Sequence, residues 1–106
     1  MNRSSKRLVI TVALANLIIG EAQSALTTAA GVPINVFADP SDFVIELDTA
    51  GSCGSKYFHV QRASANFREL TAVALTAFSV GKRLTFFVAS CSGDRNIVSH
   101  GYASRS

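Results

Sequence analysis

The chain has no tryptophan, which excludes stacking of a ligand on an indole. It has only two histidines and two cysteines: His59 and His100, Cys53 and Cys91. Their spacing matches no zinc-ligand pattern, and the chain carries neither a phosphate-binding loop nor a nucleophile elbow. The acids Asp39, Asp42, Glu46, Asp48, Glu69 and Asp94 are scattered near turns and caps, where solvation or capping accounts for them. Asp39 and Asp42 flank a turn and read as turn formers. These absences point away from an enzyme, and they leave no evident residue set for a cofactor or a metal. There is no low-complexity tract and no linker.

The apolar stretch Leu8 to Gly20 is too short for a comfortable membrane span. It follows a positive segment, Arg3, Lys6 and Arg7, and precedes Ala22-Gln23-Ser24, which offers small residues at the positions a signal peptidase needs. Residues 1–24 therefore read as a signal peptide cut before Ala25, with a cut before Gln23 as the alternative. The expectation is an exported protein, periplasmic or secreted, with no stable membrane span after cleavage. Three of the ten basic residues and one of the seven acidic ones lie in this segment, which leaves 7 against 6, a net of +1. A nucleic-acid partner needs a basic patch or stripe, and the remaining charge does not supply one.

Residues 25–106 are the length of one domain, a size at which a core alone gives little net stability and a covalent staple is common. Two cysteines behind an export signal read as a disulfide, Cys53 to Cys91. A reactive Cys91 with His100 as base, or a metal held by both cysteines and both histidines, is the sharper alternative.

The centre of the pattern is Asn66 to Ala89. Asn66 is placed as an N-cap, with Glu69 three residues on where a capping box wants an acid. Phe67, Leu70, Val73, Ala74, Ala77 and Phe78 recur at helical spacing as an apolar stripe, with Leu75 at its flank. Gly81 then suits a left-handed C-terminal cap. Beyond it the period falls to two, and Leu84 to Ala89 reads as a central strand. Ahead of the helix, residues 25–31 read as a loose tail. Val32 to Ala38, Phe43 to Leu47 and Tyr57 to Gln61 read as strands, with Phe58 and Val60 inward and Tyr57, His59 and Gln61 outward. Asn96 to Tyr102 is the last strand.

The expected class is a small β-rich α+β fold, five strands and one helix in the order β-β-β-α-β-β. That is the order of an OB-like Greek-key barrel. The alternative is an open antiparallel sheet with one packed helix.

Lys56-Tyr57-Phe58-His59-Val60, Asn66-Phe67-Arg68-Glu69-Leu70, Ala77 to Leu84 and Ser90-Cys91-Ser92-Gly93 are short motifs spread over a span of about half of residues 25–106. In these motifs the chain resembles the B subunits of the subtilase-cytotoxin and typhoid-toxin group. The resemblance implies an OB-fold protein that forms a ring of five and binds glycans. The chain departs from that group in being shorter, in lacking tryptophan and in carrying His59 where those subunits have a cysteine. A small exported family of the same topology is the alternative.

The function expected is thus a non-enzymatic exported binding module with a glycan or protein partner. Its candidate ligand-binding residues are Tyr57, His59, Gln61 and Arg62 on or beside the third expected strand, and Arg95, His100 and Tyr102 near the last. OB-type barrels bind on the second and third strands, and a tyrosine beside hydrogen-bond donors suits a sugar. The second expectation is a structural or homo-oligomeric subunit, with Ala72 and Leu75 of the helix at a contact, or an inhibitor-like protein.

Overall fold

A computed structural model describes residues 26–105, so the expected signal segment, 1–24, lies outside the described residues. The chain is a small β-rich α+β domain. Its elements are β1 (Thr27–Gly31), β2 (Pro33–Ala38), β3 (Asp42–Leu47), β4 (Tyr57–Gln61), α1 (Phe67–Val80), β5 (Arg83–Ser92) and β6 (Arg95–Ser104). The six strands form one sheet in the order β1-β5-β6-β4-β3-β2. Every neighbouring pair is antiparallel except β4 with β6, which is parallel, so the sheet is mixed.

The strand count corrects the sequence reading of five. Residues 27–31, expected as a loose tail, are β1, paired with β5 from Thr27 opposite Val88 to Gly31 opposite Leu84. Thr-Thr-Ala-Ala-Gly has no large apolar residue to announce a strand. Ala29 is nevertheless buried in the core, and Gly31 is buried where an added Cβ would meet the Asp48 and Thr49 side chains.

The hydrogen-bonded order has two ends, as in the open-sheet alternative, yet those ends are close in the chain. Six flat strands about 4.8 Å apart would separate the outer two by roughly 24 Å. Gly31 and Pro33 are separated by Val32 alone, a span of at most about 7 Å. The sheet is therefore strongly curled, with its outer strands meeting at Val32. That residue is held on both sides: its N–H donates to Asp48 Oδ1 (2.9 Å), and its carbonyl accepts from Asp48 N–H (3.1 Å).

The concave face carries the core: Ile45 and Leu47 of β3, Phe58 and Val60 of β4, Leu84, Phe86 and Val88 of β5, and Val98 of β6. The Phe58 and Phe86 rings stack at 5.4 Å. Helix α1 covers this core with Leu70, Ala74 and Ala77. The small alanines let the helix sit close against the strands. Phe78, expected in the stripe, lies at the margin of that narrow face and is exposed. Asn66 makes no side-chain cap hydrogen bond. Its Nδ2 donates instead to Ser99 O (3.1 Å), tying the start of α1 to β6. Gly81 ends the helix at φ 68°, as its position after the last periodic residue implies.

Cys53, in the β3–β4 loop, is disulfide-bonded to Cys91 near the end of β5. Among the described residues no helix is long and apolar enough to cross a membrane.

Candidate functional site

The convex face of β2, β3 and β4 is set by strand period and register. Phe37 pairs with Val44, and Val44 with His59, so these three form one row across the strands. Two residues along each of β3 and β4, Glu46 pairs with Tyr57. Phe37 and Tyr57 are thus diagonal neighbours on one face, and their rings meet edge-on at 6.2 Å. Both are large apolar side chains left open, 47% and 41% exposed.

The β5–β6 hairpin completes the site. Its two-residue turn, Gly93 and Asp94, has a positive φ at Gly93 (64°) and brings Asp94 and Arg95 over the end of β4. The result is a cavity of about 310 Å³ lined by Phe37, Val44, Ser55, Tyr57, His59, Asp94 and Arg95. That is near the small end of ligand-binding sites, which run from about 300 to 1,000 Å³.

Beneath the cavity lies a charged cluster. Asp42 is buried, and its Oδ2 accepts from Arg95 NH2 (2.8 Å) and faces His59 Nδ1 (3.0 Å). The two donors share one oxygen, which is why Arg95 NH2 and His59 Nδ1 stand only 3.3 Å apart. Burial leaves the carboxylate little solvent, so these charge-assisted bonds carry its solvation. With Nδ1–H turned to Asp42, the other ring nitrogen, Nε2, is the one left for the cavity.

Asp39 stands beside this cluster and shapes the β2–β3 turn. Its Oδ1 accepts from Ser41 N–H (2.8 Å) and Asp42 N–H (2.6 Å). The bond from Asp42 and then that from Ser41 hold the Asp39 carboxyl below the usual carboxylate range, with smaller help from the charges of Arg95 and His59. Asp39, Asp42 and His59 offer donor atoms within 4.8 Å of one another, the spacing of a cation site. Asp42 Oδ2 is already engaged by Arg95, whose guanidinium would repel an incoming cation.

The cavity is braced from behind by Asn96, a fully buried residue of β6. β4 and β6 share only two register pairs, Phe58 with Asn96 and His59 with Ile97. The Asn96 amide extends that joint. Nδ2 donates to Ser55 O and Tyr57 O (2.9 Å each), and Oδ1 accepts from Cys53 N–H (3.0 Å). Gly51 makes room for it, since a Cβ there would lie 2.4 Å from Asn96 Oδ1. One side chain thus fixes the disulfide-bearing loop and the cavity edge together.

Comparison with known proteins does not place this arrangement in a family: no family model matches the chain, and no curated protein matches it significantly.

Of the seven residues named from sequence, the structure brings Tyr57, His59 and Arg95 into this cavity. Gln61 is exposed at the end of β4, outside its lining. Arg62 lies over the Phe67 ring (5.4 Å) and donates to Asp39 O (3.0 Å), bracing the link to α1. His100 stacks on Phe87 (4.3 Å). Tyr102 lines a separate cleft with Ala72, Val73, Thr76, Gly101 and Ala103. Sequence reasoning missed Phe37 and Asp42. Phe37 was legible as an outward aromatic of β2, whereas Asp42 was masked by the turn motif Asp39-Pro40-Ser41-Asp42, which explains it without a site.

Proposed function

We propose that the protein is an exported, non-enzymatic binding module that takes a glycan in the cavity between β2, β4 and the β5–β6 turn. The observation that carries this reading is an exposed aromatic pair, Phe37 and Tyr57, set beside a cluster of buried His59 and Asp42 with half-exposed Arg95. Aromatic faces take the C–H patches of a sugar, and fixed polar groups take its hydroxyls. The disulfide supports an oxidising, exported setting.

The topology supports an OB-like Greek-key barrel. β1 and β2 are then two halves of one first strand bent at Val32, the parallel β4–β6 joint closes the other side, and α1 falls between β4 and β5. On that reading the cavity lies on the first three barrel strands, the face from which such barrels bind. It also agrees with the resemblance to toxin B subunits.

A second reading, a homo-oligomeric structural subunit, is favoured by Leu75, Phe78 and Val80, apolar residues left exposed along α1. An array of immobilised glycans probed with the oxidised protein tests the first reading: binding that Tyr57→Ala abolishes supports it, and silence across the array leaves a protein partner. Size-exclusion chromatography with light scattering tests the second, which a monomer removes. The mass of the protein recovered from the periplasm or medium tests export, with an N-terminus at Ala25 expected.

A further inference from the structure

The charges around the cavity narrow the ligand. Two carboxylates, Asp42 beneath the cavity and Asp94 at its rim, stand against one guanidinium, that of Arg95. The site is therefore net negative while His59 is neutral. Arg95 is the one cation in the cavity lining apart from the His59 ring, and it is already paired with Asp42 at 2.8 Å. An anionic ligand would meet Asp94 at the rim and would compete with a buried carboxylate for the same guanidinium, so its entry is opposed twice.

The uncharged chemistry is complementary. His59 is 8% exposed, and its Nδ1 is turned to Asp42. Nε2 makes no hydrogen bond to any described residue. His59 lines the cavity, and with Nδ1–H given to Asp42 a neutral imidazole leaves Nε2 as a hydrogen-bond acceptor. Arg95 keeps further N–H donors beyond the one given to Asp42. Asp94 accepts at the rim. Acceptor, donor and acceptor stand beside two aromatic rings, a pattern that hydroxyl groups satisfy because each can donate and accept.

Resting on the glycan reading above, we infer that the cavity takes a neutral, hydroxyl-rich saccharide unit and discriminates against saccharides bearing a carboxylate or sulfate. The unit donates a hydroxyl to His59 Nε2, accepts from Arg95 and lays its C–H face on Tyr57 and Phe37.

The test is binding of the oxidised protein to two panels at equal density, neutral oligosaccharides ending in hexose or deoxyhexose and the same cores carrying a carboxylate or sulfate. The inference expects binding on the neutral panel, weakened about tenfold or more by Tyr57→Ala, an exposed position whose replacement leaves the core intact. It also expects Asp94→Lys, in an exposed turn, to bring acidic probes to measurable binding. Binding confined to the acidic panel in the unmodified protein overturns the inference and leaves the glycan reading standing. Binding to neither panel overturns both. Neutral binding that Tyr57→Ala does not change overturns the assignment to this cavity.

Discussion

Replacing Asp42 with Asn keeps the side chain's shape and removes the charge that Arg95 and His59 share. Breaking a fully buried ion pair costs about 3–5 kcal/mol. Arg95 is half exposed and can turn to water, so Asp42→Asn is expected to cost less, about 2 kcal/mol, in urea unfolding. Asp39 makes a prediction of a different kind. Its carboxyl is held below the unfolded value by two backbone N–H bonds. Its stabilising contribution is therefore present above about pH 4 and is lost as pH falls through the folded value. Unfolding midpoints of the wild type and Asp39→Asn are expected to differ at pH 7 and to converge below pH 4. At this scale the sequence was legible where a residue's type and strand phase decided its place, as for Tyr57, whereas His59, expected outward, is buried beside Asp42. It was not legible for Asp42, because a local turn explains that acid equally well and only the fold brings Arg95 to it across 53 positions.

Between elements, the joint of β4 with β6 is the weak point that the cavity depends on, since only two register pairs make it. Asn96→Ala leaves the Cys53 N–H without its side-chain acceptor and takes one donor from each of the Ser55 and Tyr57 carbonyls, around a buried gap. The expected loss is about 3 kcal/mol or more in denaturant unfolding, with the mobility of residues 51–57 raised in amide exchange. The disulfide closes a separation of 38 residues across the same loop. The chain-entropy model gives about 4 kcal/mol for such a loop, so Cys53→Ser with Cys91→Ser is expected to lower thermal stability markedly and to loosen the cavity edge. Helix α1 was legible almost to its ends, because apolar spacing and a glycine stop act locally. β1 was not, because Thr27–Gly31 is strand only by virtue of pairing with β5, and its small residues carry no period of their own.

For the molecule as a whole, the class was legible and the curl of the sheet was not. Counting apolar runs finds β2 to β6 and the helix, whereas the curl of the sheet follows from Val32 alone joining its two outer strands, a fact of pairing rather than of composition. The central claim is that the ligand sits on Tyr57 and not at the cleft beside α1. The chain's aromatic emission isolates the two places, since it has two tyrosines, Tyr57 and Tyr102, and no tryptophan. Titration of the Tyr102→Phe protein with the neutral saccharide that binds best should change the remaining tyrosine emission saturably, and the same titration of Tyr57→Phe should leave emission unchanged. The reverse result, a saturable change only in Tyr57→Phe, would contradict the account.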